Sequence, residues 1–407
     1  MSNAFQTQGM SALSTKLAIF SMAIGSFGIG TGEFAIMGLL PNLAGDLVIS
    51  EPEAGHVISA YALGVVVGAP LFAILFARTP RKPLMVWLMA LFALGNFGSA
   101  VAPDYWSLIA LRFAAGLPHG AYFGIAALIA ASMVDAGFRA RAVGRVMLGL
   151  TLATLVGMPL ATWLGQGLGW RPTFAGVGVV GVLALVMILR HVPRVELPEG
   201  ASPLRELGAL KRVQVWLTLG VAAVGCGGMF SVFTYVVPLL TEVAGVQVAW
   251  VPAVLALFGV GMTAGNILGA AMADRALMPT IGGMLVFNVV SLAAIPFTAQ
   301  FWPTACLSVL LVGFTVAIGT ALQTRLMDVA ADGQTLAATL NHAAFNIGNA
   351  LGALFGGMAI AAGLGWTSTG PVGAVLAVAG LMLFVVSALL DRHRRRWEPL
   401  EVVPTTA

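Results

Sequence analysis

Long apolar runs, separated by short polar or Pro/Gly-containing loops, recur along the whole chain. Each run has about the 20 residues that a helix needs to cross a bilayer, and an open sheet in lipid would leave backbone hydrogen bonds unmade. The pattern predicts an all-α membrane protein with twelve transmembrane helices, so both termini lie on one side. The predicted helices are about 16–40, 54–77, 83–102, 105–132, 141–165, 172–191, 213–241, 248–273, 279–298, 301–327, 334–363 and 369–390.

The positive charges lie almost entirely on the side of the termini. Cytoplasmic loops carry the excess of Lys and Arg, whereas the opposite side has only Arg171 and an acidic first loop with Asp46, Glu51 and Glu53. Both termini are therefore predicted to be cytoplasmic, and the net charge of +4 reflects membrane topology rather than nucleic-acid binding. The basic residues on the terminal side include Lys16, Arg78, Arg81, Lys82, Arg139, Arg141, Arg145, the cluster from Arg190 to Arg212, Arg275, Arg325 and Arg392.

One long polar stretch, VPRVELPEGASPLRELGALKR, divides the twelve helices into two groups of six. A shift of 197 positions superposes residues of several helices of the two groups, and such a register is the mark of an internal repeat. We predict an N-terminal six-helix bundle (1–191), a cytoplasmic linker (192–212), a C-terminal six-helix bundle (213–391) and a cytoplasmic tail (392–407). Two parallel repeats with a binding site between them are typical of secondary transporters. The superposed pairs are Pro41 and Pro238, Gly64 and Gly261, Gly68 and Gly265, Arg78 and Arg275, and Gly116 and Gly313.

Composition supports a membrane protein and disfavours several kinds of chemistry. Of the 407 residues, 59% are hydrophobic and 9% are charged, and the mean hydropathy of +0.96 is well above that of a soluble domain. Cys226 and Cys306 lie in separate apolar segments, which predicts neither a disulfide nor a metal site. The chain has no Walker loop, H-E-x-x-H motif or nucleophile elbow. We therefore expect no enzymatic activity and no cofactor, and transport driven by an ion gradient or by the substrate's own gradient.

Five segments resemble the major facilitator superfamily, and in particular its twelve-span drug and sugar:proton antiporters, such as the arabinose/sugar efflux permeases. The resemblance covers the whole chain. It implies two six-helix bundles that rock about a central cavity in a monomer of the bacterial inner membrane, with a small-molecule substrate, protons and membrane lipid as partners. The segments are GEFAIMGLLPNLAGDL, ISAYALGVVVGAP, LRFAAGLPHGAYFG, GLTLATLVGMPLATWLGQGLGWR and AATLNHAAFNIGNALGA.

The conformational motif of this superfamily is only partly kept in the first half. The loop after the second helix, FARTPRKP, has Ala77 where the family has Asp and Pro80 where it has Gly. Its basic residues Arg78, Arg81 and Lys82 remain and can pair with carboxylates or lipid headgroups.

The second half keeps this motif as Asp274 and Arg275 in the segment ADRA. The antiporter pattern of the fifth helix is also present, but Gly157 and Pro159 are separated by one residue where the family has Gly directly before Pro. The resemblance assigns all of these residues to conformational control.

Ionisable residues within the predicted helices are scarce: Glu33, Arg112, His119 and His342. A charge at the bilayer centre costs about 2.5–3.5 kcal/mol, so such residues face the bundle interior and are functional candidates. Glu33 and Arg112 both lie roughly 10–12 Å below the outer surface, and the resemblance places their helices side by side. We predict that Glu33 alternates between Arg112 and a proton. In the alternative, the two residues form a permanent structural ion pair in a proton-independent facilitator or importer.

Several polar and aromatic residues are candidates for substrate binding. They lie in the fourth, seventh, tenth and eleventh predicted helices, which can all contribute to a cavity between the two halves. The expected function is export of a small sugar-like, nucleoside or amphipathic molecule; a receptor or scaffold is disfavoured because the loops hold no soluble domain. The candidates are His119, Phe230, Tyr235, Gln323, His342 and Asn346.

Overall fold

The computed structural model describes residues 11–49, 51–195, 202–331 and 333–397, and every regular element in these ranges is helical. Residues 196–201 of the predicted linker and 398–407 of the predicted tail lie outside the described residues. Eleven helical stretches are long and apolar enough to cross a membrane. A twelfth apolar helix, Leu277–Ala293, has 17 residues. The all-α membrane fold with twelve helices is thereby confirmed.

The first half consists of six spans, numbered in chain order. Spans 5 and 6 are separated by Gly169 alone, whose positive φ of 87° suits glycine. Their bounds are Ala12–Phe34 (span 1), Glu51–Leu75 (span 2), Arg81–Ala100 (span 3), Tyr105–Ser132 (span 4), Arg139–Leu152 continued by Ala153–Gly157 and Met158–Leu168 (span 5), and Trp170–His191 (span 6).

The second half follows a short linker helix, Pro203–Gly208. Its spans are Val213–Gly220 continued by Val221–Gly225 and Gly227–Thr234 (span 7), Val251–Arg275 (span 8), Leu277–Ala293 (span 9), Trp302–Phe314 continued by Ala317–Val329 (span 10), Gln334–Ala361 (span 11) and Thr369–Trp397 (span 12). We call the end of the bundle next to the linker helix the linker side and the opposite end the far side.

Span 1 is shorter than the apolar run that encodes it. The sequence predicts a helix to residue 40, but the α-helix ends at Phe34 and continues as a 3₁₀ turn, Ala35–Gly38, and a separate helix, Leu40–Leu47. Pro41 lies in the first turn of the separate helix, where its missing N–H breaks no helical bond. Apolar character therefore continues where the α-helix does not, and Glu33 comes to lie in the last turn of span 1.

The internal repeat is visible in the packing of the helices. A Cβ on Gly64 would lie 2.2 Å from the Phe113 carbonyl oxygen, and a Cβ on Gly261 would lie 2.0 Å from the Leu310 carbonyl oxygen. The two glycines are 197 residues apart in the chain, and so are the two residues whose carbonyls they approach. The two halves therefore pack these helices alike through small residues. The same holds for Gly68 on Leu117 and Gly265 on Phe314, and for Gly116 on Tyr61 and Gly313 on Phe258.

The two halves touch closely on the linker side. Asn266 of span 8 donates from Nδ2 to the Gly144 carbonyl of span 5 (2.7 Å), and Arg139 forms an ion pair of 3.0 Å with Asp328 of span 10. Spans 4 and 11 also meet, because a Cβ on Gly124 would lie 2.5 Å from the Thr339 methyl group. These contacts close the linker side of the interface between the halves.

On the far side, carboxylates instead bind within their own half. Asp46 accepts from Trp170 Nε1 (3.0 Å) and forms an ion pair with Arg171, and these contacts lower the pKa of Asp46. Glu242 accepts from Trp366 Nε1 (2.7 Å), which repeats the tryptophan–carboxylate contact 196 residues later. A cavity of about 1010 Å³ lies between the far-side parts of spans 2 and 5 and those of spans 7 and 11. The structure is therefore closed on the linker side and parted on the far side.

Candidate functional site

A small cavity of about 100 Å³ lies between the two halves near the middle of the spans. Spans 1, 4, 5, 7, 8, 10 and 11 all contribute to its wall. Eight of the 20 lining residues are phenylalanine or methionine, and the polar part is one carboxylate, two imidazoles and a set of amides and hydroxyls. The apolar side chains include Met147, Met229, Phe230, Phe233, Phe258, Met262 and Phe345, and the polar ones are Glu33, His119, Thr151, Asn266, Thr320, Asn341, His342, Asn346 and Asn349.

This central cavity adjoins the far-side cavity. Both are lined by Phe34, Phe230, Phe233, Asn346 and Asn349. Three phenylalanines and two amides therefore lie at the boundary between the two cavities. The linker side is closed, since the close contacts between spans 4 and 11 and between spans 5 and 8 lie there.

Glu33 is half-buried in the wall of the central cavity. It lies one residue before the end of span 1, so its side chain leaves the helix at the level where the halves part. Within the described part of the chain, no hydrogen bond and no ion pair reaches its carboxylate. An unpaired carboxylate in an apolar wall is costly unless it is neutralised.

Arg112 is completely buried next to Glu33. Its Nη2 donates to the carbonyl oxygen of Gly32 (2.7 Å) and its Nη1 to Oδ1 of Asn96 (3.2 Å). The guanidinium carbon also lies 4.5 Å from the centre of the Tyr61 ring and 4.8 Å from that of Phe174. Two hydrogen bonds and two cation–π contacts thus stabilise a buried charge that has no carboxylate on it.

The predicted pair of Glu33 and Arg112 is close in space but not in contact. Arg112 acts on the Glu33 carboxylate electrostatically. Its hydrogen bond, however, goes to the backbone carbonyl of Gly32, the residue that precedes Glu33. The structure therefore holds the two groups apart while leaving the carboxylate beside the guanidinium. The sequence placed Glu33 and Arg112 at the same depth, and they lie near each other in the structure. Direct contact between them stays a prediction for another state of the protein.

A polar chain leads from Arg112 across to the second half. The Tyr61 ring packs on the guanidinium, and its hydroxyl is 3.1 Å from Nδ1 of His119. The rings of His119 and His342 have their centres 5.3 Å apart, and Phe123 stacks on His342 at 4.2 Å. His119 and His342 belong to different halves, so this chain of contacts crosses from the first half to the second.

The cavity presents hydrogen-bond acceptors that have no described partner. Asn346 donates from Nδ2 to the His342 carbonyl (3.0 Å), which leaves its Oδ1 free. Oδ1 of Asn341, Oγ1 of Thr320 and Nε2 of His119 are likewise buried without a described partner. Because a backbone carbonyl can only accept, the orientation of the Asn346 amide follows from its contact. Among these atoms, the amide oxygens of Asn341 and Asn346 can only accept hydrogen bonds.

The other predicted substrate residues lie elsewhere. Gln323 is completely buried and donates from Nε2 to the Ala338 carbonyl (3.0 Å), and Tyr235 donates to the Ala353 carbonyl (2.8 Å). Neither is among the described residues that line the two cavities. His119, Phe230, His342 and Asn346 do line the central cavity, so the cavity collects four of the six candidates.

The residues assigned to conformational control separate into three places. Gly157 and Pro159 lie on span 5 against span 1 and the far-side cavity, respectively. Arg78 and Arg275 are exposed at the linker side. Three further residues, Arg81, Lys82 and Asp274, lie at the linker-side ends of spans 3 and 8. Of these, Arg81 is buried.

Sequence reasoning missed several residues of the site. Tyr61 resembled any aromatic residue in an apolar helix, and only the fold shows it between Arg112 and His119. Asn266 carried a usable signal, since it is the single amide in the apolar run of span 8. Met262 and Phe258 lie one and two turns before Asn266, on the face of span 8 that lines the cavity. Their residue types alone are typical of any buried helix.

Comparison with known proteins gives one family across the chain. The sequence model described as Major Facilitator Superfamily matches residues 22–333. The chain is 42% identical over 371 residues to the inner membrane transport protein YdhP of Escherichia coli (strain K12), covering 91% of this chain and 95% of that protein. It is 33% identical to a chloramphenicol resistance protein of Streptomyces lividans, covering 90% and 95%. The solved structure of the proton:xylose symporter XylE is similar in fold, with a TM-score of 0.73 over 94% of this chain and 96% of that chain at 16% identity.

Proposed function

We propose that this chain, which belongs to the Major Facilitator Superfamily of membrane transporters, is a proton-coupled exporter of small amphipathic solutes. It is a transporter and not an enzyme. We place the linker side in the cytoplasm, because the basic loops lie there, and the chain in the inner membrane, as its relative YdhP is named. The described conformation then faces outward.

The observation that carries the proposal is the state of Glu33. Its carboxylate lines the central cavity without a described partner, while the neighbouring Arg112 is held by Gly32 and Asn96. A proton that enters from the far-side cavity can neutralise Glu33 in this state. When the halves rock and the far side closes, Glu33 can turn to Arg112 and release the proton to the cytoplasm, where substrate enters.

The proton gradient supplies enough free energy for export. About 100 mV and one pH unit give roughly 2.3 and 1.4 kcal/mol per proton, respectively. Together they hold a neutral solute at a disequilibrium of several hundredfold, on the order of tenfold for each 1.4 kcal/mol. A single titrating carboxylate in the transport path therefore suffices.

The wall of the cavity favours an amphipathic substrate among the three classes that the sequence left open. Phenylalanine and methionine make up eight of its 20 residues, and these side chains gain free energy from contact with apolar or aromatic surface. The unpartnered amide oxygens of Asn341 and Asn346 call for hydroxyl, amide or amine donors on the solute. A phenicol has an aromatic ring together with hydroxyl and amide donors, and one relative is named for chloramphenicol resistance.

The proton-independent facilitator or importer remains the competing function. One observation favours it: Arg112 joins spans 1, 3 and 4 through Gly32 and Asn96, as a structural residue would. In that case Glu33 would only help to position Arg112, and the protein would equilibrate its substrate without a response to the pH gradient.

Transport in reconstituted vesicles distinguishes the two functions. We expect an imposed pH gradient to drive labelled chloramphenicol against its concentration gradient, with uridine and arabinose as comparison solutes. Glu33→Gln should abolish the gradient-driven component and leave exchange of labelled for unlabelled solute intact. Asp135→Asn removes an exposed carboxylate outside the cavity and is the matched control. Full gradient-driven transport by Glu33→Gln would overturn the proton site.

A further inference from the structure

Two helices that begin at the linker side, spans 5 and 11, start without a capping side chain of their own. The residues at their N-caps are Phe138 and Gly333, and neither has a side chain that can accept a hydrogen bond. The first N–H groups of a helix have no partner within it, and a carboxylate placed there satisfies them and meets the positive end of the helix dipole. Each of these helix starts is supplied with a carboxylate by another element.

Asp274 supplies the carboxylate at the start of span 5. Its Oδ1 accepts from the amide of Ala140 (2.7 Å) and its Oδ2 from the amide of Arg141 (3.1 Å), with an ion pair to Arg141 Nε (3.3 Å). Asp274 belongs to span 8, in the second half, and span 5 belongs to the first. The side chain is only 3% exposed. This contact therefore fastens one half to the other on the closed side.

The internal repeat places no carboxylate at the corresponding position of the first half. Asp274 shifted by 197 residues is Ala77, at the end of span 2, and Arg275 falls on Arg78. The same shift relates the glycine contacts of the two halves, so the comparison follows the packing and not only the sequence. Ala77 is 6% exposed. Span 11 would thus begin without the carboxylate that its counterpart, span 5, receives.

Glu206 of the linker helix occupies this place. Its Oε2 accepts from the amide of Leu336 (2.8 Å), and the neighbouring Thr335 also helps to stabilise the carboxylate. Leu336 and Thr335 are the third and second residues of span 11, the same positions that Ala140 and Arg141 hold in span 5. The two carboxylates thus contact equivalent amides of the two helices, although they come from different elements.

The surroundings of Glu206 are those of a built contact rather than a surface one. Glu206 is 7% exposed, and burial raises its pKa while the hydrogen bonds of span 11 and the nearby Arg81 oppose that rise. Gly333 permits the approach, since a Cβ there would lie 2.6 Å from both Ala209 Cβ and the Glu206 carbonyl oxygen. Arg81 begins span 3 of the first half, so Glu206 lies between charges and dipoles of both halves.

We propose that Glu206 replaces the carboxylate missing at position 77 and acts as a latch that holds the linker side closed. The linker is then part of the gate and not a passive tether between the halves. Release of Glu206 from span 11, together with release of Asp274 from span 5, accompanies opening of the linker side. The proposal concerns the conformational equilibrium and holds for any substrate and for either mode of energy coupling.

Cysteine labelling can measure this equilibrium on the whole protein. Thr339 is completely buried between spans 4 and 11 on the closed side, and Leu63 is 56% exposed on the open far side. In a background with Cys226→Ala and Cys306→Ala, Thr339→Cys reports opening of the linker side to a maleimide and Leu63→Cys reports opening of the far side. Glu206→Ala should raise labelling at position 339 by about fivefold, the effect of losing one helix cap, and lower it at position 63.

Controls separate a latch from a fold contact. Asp274→Asn should shift both probes in the same directions, and Glu242→Gln, whose carboxylate binds within one half on the far side, should shift neither. Adding Ala77→Asp to Glu206→Ala should restore the original labelling, because the carboxylate returns at the position related by the repeat. Unchanged labelling in Glu206→Ala, or increased labelling at both positions, would overturn the latch. A folded double variant without restored labelling would contradict the proposed replacement.

Discussion

The two halves share one helical register and differ in chemistry around the central cavity. At four positions related by the 197-residue repeat, the first half has titratable side chains and the second half has apolar ones. The pairs are Glu33 and Phe230, Tyr61 and Phe258, Arg112 and Val309, and His119 and Val316. Equivalent backbone positions thus carry a charged network on one side of the cavity and an aromatic wall on the other.

This difference separates two tasks that a coupled transporter must perform. In the proposed mechanism the first half holds Glu33, the group that exchanges a proton, and Arg112 beside it binds spans 1 and 3 directly. The second half offers the aromatic surface and most of the amides, with Asn341 and Asn346 on span 11. Energy coupling should therefore depend on the first half and affinity mainly on the second. The following predictions test this division, from the largest effect to the smallest.

Substitution of Glu33 and substitution of its counterpart Phe230 should impair different properties of the transporter. Glu33→Gln should abolish accumulation driven by the pH gradient and leave the affinity for chloramphenicol within about twofold, since one neutral polar group replaces another. Phe230→Ala should keep the response to the gradient and weaken binding by roughly tenfold or more, because it removes aromatic contact area. Vesicle transport and equilibrium binding measure the two quantities separately. Loss of both properties in each variant would contradict the division.

Removal of the buried charge should destabilise the protein more than truncation of its counterpart. Arg112→Met leaves the Gly32 carbonyl and the Asn96 side chain without their donor and should lower the unfolding free energy by about 3 kcal/mol. Val309→Ala removes buried methyl groups only and should cost about 1–2 kcal/mol. Thermal unfolding in detergent compares them. Equal stability of the two variants would show that Arg112 is not a structural centre of the first half.

The shared packing should make paired glycines equally sensitive. Gly68→Ala would bring a Cβ to 2.0 Å from the Leu117 carbonyl oxygen, and Gly265→Ala to 2.3 Å from that of Phe314. Both helix pairs must separate, so each variant should lose about 1–3 kcal/mol of stability. Gly283→Ala is the matched control, because nothing lies within 4 Å of its Cβ position. A marked loss in only one half would contradict equivalent packing.

The link between Arg112 and the second half should respond to a single hydroxyl. Tyr61→Phe keeps the ring on the guanidinium and removes the hydrogen bond to His119, worth about 1 kcal/mol. We expect a fewfold decrease in the rate of gradient-driven transport and a loss of stability of no more than about 1 kcal/mol. Phe258→Leu changes the residue that the repeat relates to Tyr61, and it should alter the affinity for chloramphenicol instead of the transport rate. A Tyr61→Phe variant with an unaltered rate would remove Tyr61 from the coupling path.

Much of the architecture could be predicted because it follows from periodicity and composition. Twelve apolar segments, their division by a polar linker and the 197-residue repeat required no knowledge of contacts. Glu33, His119 and His342 were found because titratable residues are scarce in membrane spans. Tyr61 and Phe258 could not be found in this way, because an aromatic residue in an apolar helix has no distinguishing mark until its neighbours are known. Gln323 and Tyr235 had the right chemistry, yet their helices turn them to backbone carbonyls away from the cavities.

The sequence by itself determined the membrane class, the number of helices, the repeat and the small set of charges inside the bilayer, because the low dielectric of lipid leaves few ways to place such residues. Only the tertiary structure decided which groups those charges bind. Arg112 turns to a carbonyl instead of a carboxylate, and Glu206 takes over a contact that Ala77 cannot make. Both outcomes depend on distances between helices far apart in the chain, which are set by packing of the whole bundle and not by any local pattern.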